Sequence, residues 1–153
     1  MKTKKEKSLL YLDVCVLCRP FDDQTQMRIR LETDAFYLIF EAIKNGFYGM
    51  AFSRVHLEEI AAIKDVQEKY ELMGMLNKYG KELDCDLTKI RSRAEELHAR
   101  KFGIADAAHL AFAEAISNIF ISCDDKLINK CGKANIMIPV LNPVEFCVRE
   151  DLQ

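Results

Sequence analysis

The residues Leu9-Leu10-Tyr11-Leu12 make an unbroken apolar run that stops at Asp13. A strand with one face in water alternates apolar and polar residues, whereas a strand covered on both faces does not. The run therefore predicts a strand in a parallel sheet with helices on both faces. The rest of the chain has the matching alternation. After a loop at residues 19–23, a helix is expected over 24–44. Leu31, Ala35, Leu38 and Ala42 form its apolar stripe, and Asn45-Gly46 ends it. Met50-Ala51-Phe52 reads as a second strand. Ser53 reads as the N-cap of a helix reaching residue 79, stopped by Gly80. Leu83-Asp84-Cys85 reads as a brief third strand. Helices over 88–100, capped by Thr88, and over 105–116 follow, separated by Gly103. Then come a strand over 118–122, a short helix over 126–130, the apolar stretch Ile136-Met137-Ile138, and a last helix opened by Asn142-Pro143. This order predicts an α/β class, with a three-layer α/β/α architecture around a parallel sheet of four to five strands.

With 153 residues and no linker or repeat, the chain is expected to form a single domain over 1–153. A basic, flexible tail is expected at residues 1–7. Apolar residues are 50% and charged residues 30%, and there are only six Gly and three Pro, which excludes collagenous and low-complexity classes. No apolar run approaches the roughly 18 residues of a membrane span. The apolar stretch behind the basic start is too short for an export signal, so a cytoplasmic location is expected. The six cysteines are then expected to be reduced thiols. Cys15-Val-Leu-Cys18 lacks the second pair a zinc site needs, and its roles stay open.

Four acids stand out. Asp13 closes the first strand and Asp124, followed by Asp125, closes the strand Ile119-Phe-Ile-Ser122. In a parallel sheet, ligands bind beyond the carboxyl ends of strands. Asp106 falls in the first turn of an apolar, buried helix, with His109 one turn on. On the helix after Ser53, Val55, Ala62, Val66 and Met73 point within about 20° of one direction, and Glu59 lies inside that stripe while Glu58 sits nearer its edge. Each acid alone has a bland use as a turn, a cap or an ion-pair partner. Together they would repel and raise one another's pKa, unless a hard divalent cation, Mg²⁺ or Mn²⁺, sits among them. Nucleotide-cradling glycine motifs, the G-x-S-x-G elbow and the H-E-x-x-H zinc pattern are absent.

From Tyr11 to about Phe146 these residues resemble the PIN-domain nuclease superfamily, which includes VapC-type toxins. Tyr11-Leu-Asp13 is similar to its opening strand and first acid, and Ser53-Arg-Val-His-Leu-Glu-Glu59-Ile60 to its serine-to-Glu helix start. Asp106-Ala-Ala-His109-Leu-Ala111 resembles its Asp-Ala-x-x-x-Ala helix. Ile121-Ser122-Cys123-Asp124 resembles its Thr-x-Asp strand end, and Val140-Leu-Asn-Pro143-Val-Glu-Phe146 its ending. The family often carries Asp-Thr-Asn at the first acid, where this chain has Asp13-Val14-Cys15.

The resemblance implies a metal-dependent endoribonuclease. Asp13, Glu59, Asp106 and Asp124 would be its catalytic residues and ligands to Mg²⁺ or Mn²⁺, with Asp125, Ser122 and His109 as supporting residues. It also implies an RNA substrate, a small antitoxin protein as partner of a toxin–antitoxin pair, and a homodimer. The alternative is a catalytically silent PIN-like scaffold that binds nucleic acid or a protein partner, the reading favoured by Cys15. With the four acids set aside, basic residues outnumber acidic ones 22 to 20, and the Lys2–Lys7 tail, Arg28, Arg30, Arg54 and Lys126 become candidate backbone contacts. The role of Arg19 stays open between a phosphate contact and an ion pair with Asp22 or Asp23.

Overall fold

The computed structural model describes residues 7–153, so the tail expected at the start lies, Lys7 apart, outside the described residues. The elements are β1 (Leu9–Leu12), α1 (Val14–Cys18), a 3-10 turn (Arg19–Phe21), α2 (Met27–Lys44), β2 (Gly49–Ala51), α3 (Arg54–Ala61) and α4 (Val66–Tyr79). They continue with β3 (Gly80–Lys81), α5 (Leu87–Ala99), α6 (Ile104–Ile116), β4 (Ile119–Ile121), α7 (Asp125–Gly132), β5 (Val140–Leu141) and α8 (Pro143–Arg149). All strand pairs are parallel, and the sheet order is β3-β2-β1-β4-β5. This is the expected three-layer α/β/α, PIN-like arrangement with five strands.

Strand periodicity divides the core in two. Leu10, Leu12, Met50, Ile119 and Ile121 face one layer, against Phe36 and Ile39 of α2 and Phe146 of α8. Tyr11, Ala51 and Phe120 face the other, against Leu97 of α5 and Leu110 and Ala113 of α6. Because β2 and β3 extend the sheet to one side of β1 while β4 and β5 extend it to the other, the chain reverses its winding between β1 and β4. That switch point is where a parallel sheet opens a crevice at its carboxyl edge.

Several expected elements differ. The helix after Ser53 does not run to residue 79: it stops at Ala61, and α4 starts afresh at Val66. Asp65 accepts from the Glu68 N–H at 2.9 Å, an Asp-x-x-Glu start that restarts the helix. The α2 stripe is also rotated. Leu31 is 51% exposed, while Glu32, Thr33, Phe36 and Ile39 face inward with Ala35 and Ala42. The cap of α5 is Asp86, whose carboxylate takes the Thr88 N–H, rather than Thr88 itself. Strand β3 is Gly80–Lys81, not 83–85, because α4 delivers those residues directly beside Met50 and Ala51. Ile136 and Ile138 pack against the α5–α6–α7 core instead of pairing as a strand, and β5 forms at Val140–Leu141. The helix α1, which carries Cys15 and Cys18, is an addition to the expected order.

Gly80 marks how closely α4 approaches β2. A Cβ there would lie 2.7 Å from the Leu76 carbonyl oxygen and 2.7 Å from Phe52 Cδ1. Gly80→Ala is therefore expected to cost about 1–3 kcal/mol, the usual range for overpacking, read as a lower melting temperature.

Candidate active site

The carboxyl edge of the sheet gathers the four acids from four elements. Asp13 follows β1 directly, and its backbone N–H donates to the Ile121 carbonyl of β4 at 2.9 Å. Asp124 follows β4 and caps α7, accepting the Leu127 N–H at 3.2 Å. Asp106 lies in the first turn of α6, which starts at this edge because it runs back against the strands. Glu59 comes from α3, whose N-cap Ser53 follows β2. Glu59 is half-buried and Glu58 exposed, but the inward stripe expected to carry Glu59 is not continuous, since Val66 is 77% exposed beyond the helix break.

Ser122 joins two of the acids. Its buried hydroxyl donates to Asp13 Oδ2 at 2.9 Å and accepts the Asp124 N–H at 3.1 Å. Cys15 accepts the Cys123 N–H on its sulfur at 3.3 Å and so bridges α1 to the end of β4. Asp125 turns away from the acids: it is exposed and forms a two-bond pair with Arg28, at 2.6 and 2.8 Å. That pair holds its carboxyl below the usual range.

The charge of the cluster is felt at Asp106. Burial pushes its carboxyl up, and the negative charges of Asp13, Asp124 and Glu59 push the same way, offset in part by His109. Glu59 is held low instead, chiefly by its hydrogen bond from His109. Among the described residues, no three His, Cys, Asp or Glu side chains converge closely enough to hold an ion as they stand. The donor chemistry nonetheless fits a hard divalent cation. The set is all carboxylate, and its uncompensated negative charge is registered by Asp106.

Two groups of residues around the acids were not legible in the sequence. The first is His56, at the third position of α3, whose only advance signal was its place in the Ser-x-x-Glu-like run Ser53-Arg-Val-His56. Its Nδ1 accepts the Ser53 N–H at 3.1 Å, so its proton sits on Nε2, which donates to the Leu12 carbonyl at 2.6 Å. Burial, and then the neighbouring His109, depress its pKa from 6.5 to about 4. An unfolded His56 takes up a proton at higher pH than the folded one, so its contribution is full above about 6.5. It is lost as the pH falls towards 4, a loss of up to about 3 kcal/mol. Thermal melts from pH 7 to pH 4 are expected to show this loss, and His56→Gln, which keeps an acceptor for the Ser53 N–H, is expected to remove it.

The second group surrounds Glu32, a buried carboxylate in the middle of α2. Arg19 Nε donates to its Oε1 at 3.1 Å, Asn142 Nδ2 donates to Oε2 at 2.6 Å, and Arg28 Nε lies 3.5 Å away. Arg19 also pairs with Asp22 at 2.7 Å, while Asp23 caps Thr25. Arg28 donates to the Cys123 carbonyl at 3.2 Å. The 19–23 loop thus serves to bring one guanidinium onto Glu32, and the second guanidinium reaches the start of α7 beside Asp124. Burial raises the thiols of Cys18 and Cys131 to about 12 and of Cys147 to about 11, which leaves them unreactive.

No helix among the described residues is long and apolar enough to cross a membrane. No protein-family model matches the chain, and no curated protein matches it in sequence. Among solved structures, the fold is similar to that of FitAcB from Neisseria gonorrhoeae. The likeness covers 88% of this chain and 97% of that one, at 20% identity and a TM-score of 0.50. At that identity the likeness speaks for the fold alone, and what this chain shares with FitAcB is its α/β architecture.

Proposed function

We propose that the chain is a metal-dependent endoribonuclease that hydrolyses RNA phosphodiester bonds at the Asp13–Glu59–Asp106–Asp124 edge. One observation carries the reading: the carboxyl of Asp106 is pushed up by burial and by three carboxylates contributed by three other elements. A fold that concentrates carboxylates at its switch point works against its own stability, and a divalent cation is the natural compensation. The order of the acids along the chain, and its resemblance to the PIN superfamily, supports RNA as the substrate.

Asp13, Glu59, Asp106 and Asp124 would hold Mg²⁺ or Mn²⁺. The bound ion supplies Lewis acidity towards a phosphodiester and a water of lowered pKa. Ser122 fixes the Asp13 carboxylate through its hydroxyl and the Asp124 backbone through its lone pair. Arg28 presents a half-exposed guanidinium beside Asp124, suited to an RNA phosphate if the bond to Asp125 exchanges for one. Under the same reading the chain is the toxin of a toxin–antitoxin pair, with a small antitoxin protein and a second copy of itself as partners.

The test is cleavage of a mixed structured RNA with Mn²⁺, with Mg²⁺ and with EDTA, by wild type and Asp106→Asn prepared in parallel. Cutting that needs metal and disappears in the variant is the expected result. Equal cutting by both preparations would mean a contaminating ribonuclease. No cutting by either would favour the silent scaffold.

A further inference from the structure

The buried polar residues behind Glu59 form a closed chain of hydrogen bonds. Ser53 Oγ accepts the Val55 N–H at 3.2 Å and lies 2.7 Å from Tyr11 Oη. Tyr11 Oη lies 2.6 Å from His109 Nδ1, and His109 Nε2 meets Glu59 Oε1. Ser53, Tyr11 and His109 are all buried, the tyrosine completely, and they come from the end of β2, from β1 and from α6. A carboxylate only accepts, so the His109 proton facing it sits on Nε2. In the neutral ring Nδ1 is then bare, and it takes the Tyr11 O–H. Tyr11 in turn takes the Ser53 O–H, leaving Ser53 to accept from Val55. Every donor along the line meets one acceptor.

The tyrosine ring is equally fixed. It stacks on Phe120 at 5.4 Å between centroids and lies against His56 at 4.5 Å and edge-on to His109 at 5.6 Å. Its hydroxyl therefore cannot swing away without moving core side chains. His109 Nε2 is also 3.9 Å from Asp13 Oδ1, so one ring edge faces two of the four carboxylates.

We infer that Tyr11 and Ser53 are positioning residues for the acidic centre: acting through His109, they hold the imidazole in place and so fix where the Glu59 carboxylate points. This rests on the proposed reading of Glu59 as a metal ligand. Partners of this kind, one shell behind a ligand, set its orientation, and their removal weakens metal binding by about 10- to 100-fold. A purely structural network would hold the core together without affecting how tightly a metal binds at Glu59.

The experiment uses the full chain labelled with ¹⁵N, read first without metal. In wild type the His109 imidazole is expected to carry a proton on Nε2, facing Glu59, and to show an Nδ1 signal set by the Tyr11 hydroxyl. Tyr11→Phe keeps the packed ring and deletes the O–H beside Nδ1. The Nδ1 signal is then expected to move while Nε2 stays protonated against Glu59, and Mn²⁺ affinity to fall about tenfold. A bare Nε2 in wild type would overturn the inference, whether or not the variant folds. So would a Tyr11→Phe protein with the wild-type His109 pattern and wild-type Mn²⁺ affinity. If wild type binds no Mn²⁺, the metal reading fails separately, and the Nδ1 signal alone decides whether the relay exists.

Discussion

Arg19→Ala is expected to destabilise the protein by about 3 kcal/mol, at the lower end of what breaking a buried ion pair costs. The Glu32 side chain is 2% exposed, and Arg19 is its nearest guanidinium. Without it the carboxylate keeps the Asn142 amide and a longer contact to Arg28, whose side chain is 55% exposed. For a domain of this length, 3 kcal/mol corresponds to a fall in melting temperature of roughly 6–12 °C. Exchanging Glu32 for Leu in the same background removes the stranded charge and is expected to restore part of the stability. A melt in which Arg19→Ala matches wild type at neutral pH would show that Glu32 does not depend on this arginine.

Asp106→Asn is expected to separate activity from stability. RNA cleavage should fall at least about 100-fold, because losing a ligand costs no less than losing the residue behind one. In the absence of metal the same variant should melt above wild type. The sign follows from the raised carboxyl: the folded state binds the Asp106 proton more tightly than the unfolded chain, so holding it ionised at neutral pH is unfavourable. Asn removes that charge at nearly constant shape. In EDTA the gap between variant and wild type should accordingly narrow as the pH falls through the Asp106 titration. Added Mn²⁺ should then stabilise wild type more than the variant. Residues kept for chemistry commonly cost the fold in this way.

The central strands β1, β2 and β4 were legible because they are short apolar runs, and the pattern of a doubly covered strand needs no knowledge of its neighbours; the edge strands β3 and β5 carry no such run. Asp13 and Asp124 were legible for the same reason, being the first acidic residues past β1 and β4. Glu59 was reached by a stripe that the helix break at 62–65 removes; the spacing from Ser53 points to it on firmer ground. That break was itself written in Asp65-x-x-Glu68, a start signal that the apolar positions of Val66 and Met73 masked. Other features were out of reach. Glu32 sits between Leu31 and Thr33 in a stretch whose apolar members suggested the opposite inward face, and its partners lie 13 and 110 positions away. Tyr11 looked like one more core aromatic; its hydroxyl acquires meaning only when β1 brings it beside His109, 98 positions on. Burial of a polar group is decided by such long-range partners, which a local pattern does not contain.

Calorimetric titration of the metal-free protein with Mn²⁺ tests most directly whether the four carboxylates act as one centre. Wild type is expected to bind Mn²⁺ saturably, and Asp106→Asn, correctly folded, to bind it at least tenfold more weakly, about what loss of even an outer-shell partner costs. Absence of Mn²⁺ binding by wild type, or equal binding by the two proteins, would contradict it.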